Sequence, residues 1–423
     1  MIIPRSEHPI SRKHIDREAL KVLYRLRDAG FTAYLVGGGV RDLYLRKTPK
    51  DFDISTNARP GQIRKLFRNS RIIGKRFRLV QVFFHGGKII EVSTFRCRSE
   101  YDLQKSDELL PSNNTFGNEA DDAFRRDLTI NALFYEIENF SVIDYTGGVE
   151  DLKKGIVRIV GDPDRRIIRD PVRIMRAIRH AARSGFHVEE NTWEAIKRHK
   201  TKLSLCPVSR IRDELFKDFK GGASKAWTEL AIDSGIFFVL FPFYETVFAD
   251  RSADFPPLKN LLGILSVIDR LHNSGQKIPD EMLLALFLVP WAQETLGLMA
   301  AGRKGPEAFK FARRLRNEFD AILPHLNVTK VMKEEMTILL SNLPLFQQFN
   351  QKKDWPKWLT QKSYYHKCLQ FHRIHQEAMG GAPLGSLSLP EPSKKTKKRP
   401  PRRDSRAPAF TNKKGGVFGL RSK

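Results

Sequence analysis

The stretch that decides the fold is Gly37-Gly38-Gly39-Val40-Arg41-Asp42, followed a few residues later by Asp51-Phe52-Asp53. Glycines at a strand-to-helix junction let backbone N–H groups approach a phosphate closely, and the start of the following helix favours negative charge. Asp51 and Asp53, two apart on a strand, are expected to put both carboxylates on one side with Phe52 facing the core. Such a pair repels unless a divalent cation lies between its members. A lone Gly-Gly is usually a turn, and a lone Asp-x-Asp is usually a solvated strand edge. The two together are far more specific.

Working outward, Thr32–Val36 is predicted as the strand that enters the glycines, and Lys50–Ser55 as the strand that carries the acids. His14–Ala29 has apolar residues at helical spacing and stops at Gly30. Pro60–Arg68 opens with a proline suited to a first helical turn. Arg78–Phe84 and Ile89–Thr94 are β-branched and aromatic runs around Gly86-Gly87, which predicts an antiparallel hairpin. Glu91, on the second of these runs, is the candidate third oxygen ligand. Oxygen-only ligation suits Mg²⁺ or Mn²⁺ better than zinc. One metal would activate a hydroxyl, and the other would steady a triphosphate and its leaving pyrophosphate in an in-line displacement. Glu100–Asn118 is polar and turn-rich, a predicted loop.

After Gly161 strand signals give way to helical periodicity: Arg165–Ser184, Thr192–Lys200, Ser209–Lys217 and the apolar helices beyond Pro256. The expected class is α+β. A small mixed-sheet head (1–162) precedes a helical neck (163–220), a helical body (221–380) and a disordered basic tail (381–423). From Glu391 to Lys423 there are twelve Lys/Arg against two acids, so about +10 of the net +26 sits there. A segment so poor in apolar residues cannot offset its ordering entropy.

A net charge of +26 over 423 residues calls for a polyanionic partner, and charge alone does not choose between nucleic acid and an anionic membrane. No apolar run reaches the ~20 residues of a spanning helix. The residues Met1–Ile10 lack the apolar core of a secretory signal. Cys97, Cys206 and Cys368 are scattered, without a CxxC pair, which suits a reducing, cytoplasmic setting.

Two further motifs follow. In Arg125-Arg126-Asp127-Leu128-Thr129-Ile130-Asn131, a helix would set Asp127 and Asn131 one turn apart. They could then hydrogen-bond a ribose while Arg126 neutralises a triphosphate. Arg169-Asp170-Pro171-Val172-Arg173-Ile174-Met175-Arg176 sets Asp170 and Arg173 three apart at a helix start. That pair offers an acceptor and a planar donor fork, as the edge of a base requires. The bland alternatives are a polar helix face and an N-terminal salt bridge.

The segment from about Tyr34 to Phe219 resembles the nucleotidyltransferase superfamily that includes DNA polymerase β. It is most similar to the bacterial branch of tRNA CCA-adding enzymes and poly(A) polymerases. The resemblance implies that Asp51 and Asp53 bind the catalytic metals, with Glu91 of Glu91-Val92-Ser93-Thr94-Phe95-Arg96 beside them. It implies ribose recognition by Arg126-Asp127, and a protein template for the incoming base in Asp170 and Arg173. Gly37, Gly38, Arg41, Asn131 and Arg176 complete the nucleotide-binding set. The family usually has Glu before this Asp, where this chain has Arg169. Ser209-Arg210-Ile211-Arg212-Asp213-Glu214-Leu215 resembles a later helical motif that braces the neck. No catalytic role is assigned to it.

The expected reaction is template-independent addition of AMP from ATP to RNA 3′ ends. Gly74-Lys75-Arg76-Phe77-Arg78-Leu79-Val80 and Asn114-Thr115-Phe116-Gly117-Asn118-Glu119-Ala120-Asp121-Asp122 resemble the polyadenylating branch. The basic tail suits a sequence-independent grip on phosphates. CCA addition, a non-catalytic RNA-binding scaffold and a small-molecule nucleotidyltransferase are the alternatives. Retention of all three acids speaks against the scaffold.

Overall fold

The structure is a computed structural model that describes residues 1–74, 78–97, 116–300, 303–352 and 355–385. The basic tail beyond residue 385 and most of the predicted 100–118 loop lie outside the described residues, as do Lys75–Phe77 and Asn114-Thr115.

The N-terminal strands are β1 (Ile2–Ile3), β2 (Ala33–Val36), β3 (Asp53–Thr56), β4 (Ser70–Ile73), β5 (Leu79–Phe83), β6 (Ile89–Thr94), β7 (Leu133–Tyr135) and β8 (Val142–Asp144). They form one mixed sheet in the order β1-β8-β7-β2-β3-β6-β5-β4. β2 is buried along its whole length between β3 and β7, both antiparallel to it. β3 pairs parallel with β6, and β5 pairs antiparallel with β6, which is the expected hairpin. Tyr34, Val36, Phe95, Phe134 and Ile143 make the core beneath the glycine turn. The helix Arg17–Asp28 buries Ala19, Val22, Leu23 and Leu26, the spacing of a single face. Asp16 caps it by accepting from the N–H groups of Glu18 and Ala19.

Four expectations need correction. The acid-bearing strand begins at Asp53 rather than Lys50, because Val36 is the last residue of β2 and pairs with Asp53. Asp51 therefore sits just before the strand, its main-chain carbonyl packed on Gly39, where an added Cβ would lie 3.2 Å away. The span 165–184 is two helices, Pro163–Arg169 and Val172–Ser184. Pro171 drives Asp170 out of the helical region, to φ −143°, ψ 82°. A strand follows Gly161 after all: β10 (His187–Val188) pairs parallel with β9 (Ile156–Val157).

The fourth correction concerns Asp127 and Asn131, which share no helix. Leu128 bridges Ile159, Asp127 O accepts from Val160 N, and Thr129 N donates to Arg158 O, so the chain there is extended. Only Thr129–Asn131 turns, as a single 3₁₀ turn. Backbone pairing with the segment after β9 overrides the local helical spacing.

The rest is helical. The neck packs Val172–Ser184 on Val208–Phe219, and the body continues through Ser224–Ser234, Pro256–Asn273, Lys330–Lys352 and Tyr365–Ala378. An aromatic cluster joins neck to body: Phe219, Phe237, Phe241, Tyr244 and Phe287, with Phe241 and Phe287 at 4.6 Å between ring centroids. Among the described residues, no helix is long and apolar enough to cross a membrane.

Candidate active site

β2 delivers the chain to Gly37, which takes φ 71°, ψ −142°, a conformation open to glycine and strained for other residues. The helix Gly38–Tyr44 starts immediately afterwards. A Cβ on Gly37 would lie 3.2 Å from Nη1 of Arg126 and 3.8 Å from Oδ2 of Asp53. The turn, the arginine and the acid thus meet at one point.

Asp53 is the register partner of Glu91 across β3 and β6. Glu91 is held in place by Gln81, whose Nε2 donates to its Oε1 at 2.9 Å. Loss of hydration, then the charges of Glu91 and Asp51, push the Asp53 carboxyl up to about 6, against the opposing pull of Arg126. Among the described residues, no three His, Cys, Asp or Glu side chains close into a metal-holding group. The ligating atoms near Asp53 are carboxylate oxygens whose mutual repulsion Arg126 offsets only in part, so Asp51 and Asp53 fit a hard divalent cation.

Arg126 caps the helix Glu119–Arg125 and is fixed from several sides. Its Nη2 donates to Ser55 Oγ at 3.2 Å and to Asp122 Oδ2 at 3.1 Å. Its Nη1 donates to Asn131 O at 3.3 Å, and its guanidinium lies 5.2 Å from the centroid of Phe134. Arg41 forks onto Asp42 Oδ1 with Nε and Nη2, at 2.9 and 2.7 Å, and Nη1 donates to Asn131 Oδ1 at 2.6 Å. Asp51, Asp53, Arg41, His180, Arg183 and His272 line a cleft of about 610 Å³ that reaches from the glycine turn to the body.

The second motif group sits behind Arg126. Asp127 lies 3.4 Å from Nη1 of Arg176, whose Nη2 lies 3.3 Å from Glu214. Burial alone would raise the Asp127 carboxyl, but Arg176 leads a set of positive charges that holds it at about 2. Arg173 donates from Nη1 to Arg126 O at 3.2 Å, so it fixes the main chain of that arginine. Asp170 pairs with Arg210 at 2.9 Å. Arg169 is buried at the end of its helix. The structure brings Gly37, Gly38, Arg41, Asp51, Asp53, Glu91, Arg126 and Asn131 together around the turn. Asp127, Asp170, Arg173 and Arg176 gather between the 126–131 segment and the neck.

Sequence reasoning missed His180. Its Nδ1 lies 3.2 Å from Arg41 Nη1, and its Nε2 lies 3.2 Å from Asn131 Nδ2. Loss of hydration, then the Arg41 charge, holds the imidazole down at about 3. The signal was present, since Arg173, Arg176 and His180 follow the i, i+3, i+7 spacing of one helix face. The bracing expected of the later motif is visible in Arg210 and Glu214, and Asp218, beyond the motif, extends it. They sit at i, i+4, i+8 and pair with Asp170, Arg176 and Arg179 of the facing segment.

Residues 33–158 match the family "Poly A polymerase head domain", and residues 185–247 match "Probable RNA and SrmB- binding site of polymerase A". Poly(A) polymerase I of Escherichia coli O157:H7 is 43% identical over 297 residues, which are 68% of this chain and 63% of that protein. The CCA-adding enzyme of Bacillus subtilis is 36% identical over 315 residues, 70% of this chain and 77% of that one. In fold the chain is similar to the Bacillus stearothermophilus CCA-adding enzyme solved with CTP. The TM-score is 0.64 at 23% identity, over 87% of this chain and 78% of that one. The chain thus spans slightly under two thirds of the poly(A) polymerases it matches.

Proposed function

The chain belongs to the nucleotidyltransferase family of poly(A) polymerases and CCA-adding enzymes, and from that premise we propose that it adds AMP from ATP to RNA 3′ ends. The observation that carries the proposal is the pairing of Asp53 with Glu91 beside Gly37 and Arg126. Asp51 and Asp53 would hold Mg²⁺ (or Mn²⁺), which when bound offsets the triphosphate charge and makes a 3′-hydroxyl easier to deprotonate.

The chain's own residues do the rest. The glycine turn lets the triphosphate approach the backbone, and Arg126, already locked on Ser55 and Asp122, neutralises it without reorganising. Arg41 and Asn131 face the sugar side. Asp170 and Arg173 present the polar edge that reads the base, and Arg210 sets the direction of Asp170. The body and its basic continuation hold RNA by its phosphates. The three free cysteines and the need for ATP fit the cytoplasm.

AMP addition is favoured over CCA addition by the match to the poly(A) polymerases, 43% identity over 297 residues in one of them, where the CCA-adding enzymes reach 41% over only 218 residues or 36% over 315. The head (1–162), neck (163–220), body (221–380) and tail (381–423) remain the proposed division of labour. Pyrophosphate release tests the proposal: with Mg²⁺ and ATP, release should require a single-stranded RNA with a free 3′-hydroxyl and vanish in Asp53→Asn. Release that ignores the RNA would refute it.

A further inference from the structure

His180 has no role in the reaction as proposed above, yet both of its ring nitrogens meet side chains of the nucleotide-facing set. Nδ1 is 3.2 Å from Arg41 Nη1, and Nε2 is 3.2 Å from Asn131 Nδ2. Asn131 Oδ1 accepts from the same Arg41 Nη1 at 2.6 Å. Arg41 Nη1 and Asn131 Nδ2 can only donate, and a neutral imidazole has one acceptor nitrogen while an imidazolium has none. Both ring nitrogens therefore face donors, and the three-residue cluster is one acceptor short. Turning the Asn131 carboxamide does not mend this, because it would set Nδ2 against Arg41 at 2.6 Å. A donor left without an acceptor in such a site is costly, because it has lost water without gaining a partner. An oxygen entering the cleft beside Arg41 and His180, both of which line it, removes that cost.

We propose that His180 is a positioning residue that, by occupying either Arg41 or Asn131 but not both, keeps one donor of the cluster open for an oxygen of the incoming nucleotide. The proposal rests on the nucleotide-binding part of the function given above. The oxygen belongs either to the ribose or to the triphosphate, and both offer the same acceptor chemistry.

The test compares the full-length chain with His180→Phe, which keeps a ring of similar size, and His180→Gln, which keeps one donor and one acceptor. Equilibrium binding is measured with ATP and 2′-deoxy-ATP, and RNA extension is followed as a function of ATP. His180→Phe should weaken ATP binding about tenfold, the loss appearing in KM rather than kcat, while the thermal midpoint does not fall. His180→Gln should recover most of the loss. In the His180→Phe background, Asn131→Ala should cost less than it does in the parent chain. If the open donor meets the 2′-hydroxyl, 2′-deoxy-ATP binding is insensitive to His180→Phe. If it meets the triphosphate, 2′-deoxy-ATP follows ATP.

Equal ATP affinity in the parent and His180→Phe, or a loss that His180→Gln does not recover, would overturn the proposal. His180→Leu takes the place of the phenylalanine variant if that chain fails to fold. A parent chain that binds ATP but does not extend RNA overturns the polymerisation reading alone, because the binding ratio still decides His180. A parent chain that does not bind ATP overturns both.

Discussion

Asp53 and Glu91 are register partners on the parallel strands β3 and β6, and Glu91 is tied back by Gln81 at 2.9 Å. The sheet itself therefore forces two carboxylates together, and Asp51 enters from the loop just before. Asp53→Asn removes the proposed ligand and one side of a repulsion. It is expected to lower nucleotide incorporation by at least about 10³-fold, while the thermal midpoint without divalent cation stays level or rises. A variant that retains near-normal turnover contradicts the assignment, as does one that unfolds.

Gly37 should resist replacement for two separable reasons. Its φ of 71° strains any side chain, and an added Cβ would press on Arg126 Nη1 at 3.2 Å. Gly37→Ala is expected to destabilise the fold by about 1–3 kcal/mol and to raise KM for ATP. Chemical denaturation and extension kinetics report the two effects independently, and an unchanged KM would place the triphosphate elsewhere.

Much of this site was legible because its signals are local. The glycines, the Asp-x-Asp and the hairpin bearing Glu91 each depend on a few neighbouring residues, and the sheet joins them. Asp127 and Asn131 were misjudged because their conformation is set by pairing with Arg158 to Val160, some thirty residues away. Asp51 left its expected strand because β2 ends at Val36, a property of the partner strand. His180 was invisible without the fold, since its meaning comes from Arg41 and Asn131, and their distances from it are tertiary. Of the sequence features used to separate AMP addition from CCA addition, Lys75–Phe77, Asn114-Thr115 and the basic residues beyond 385 fall outside those described.

Arg173 donates to the carbonyl of Arg126 as well as standing in the proposed template. Arg173→Ala is expected to reduce ATP-over-CTP discrimination by at least about tenfold and to lower kcat as Arg126 loosens. Competition between the two labelled nucleotides on one RNA measures the ratio. An unaltered preference removes Arg173 from base recognition and leaves it a brace.

Asp127 sets an acid limit. Burial would raise its folded carboxyl, but Arg176, the other neighbouring positive charges and the Leu128 N–H together outweigh burial and hold it at about 2, below its unfolded value. A depressed acid stabilises the fold above the unfolded pKa, and that share is lost as pH falls through about 4 towards 2. The share is on the order of 2 kcal/mol. Asp127→Asn should flatten the fall in stability across that window, measured by denaturant titration at successive pH values. A fall as steep as in the parent chain would assign the acid sensitivity to other groups.

The central claim is tested most directly by extending two labelled RNAs side by side, a generic oligoribonucleotide and a tRNA lacking its CCA end, with Mg²⁺ and ATP, CTP or both. Long ladders on the generic RNA with ATP alone are the expected result. Growth confined to the tRNA, limited to three nucleotides and dependent on CTP, would contradict AMP addition and assign the chain to CCA synthesis.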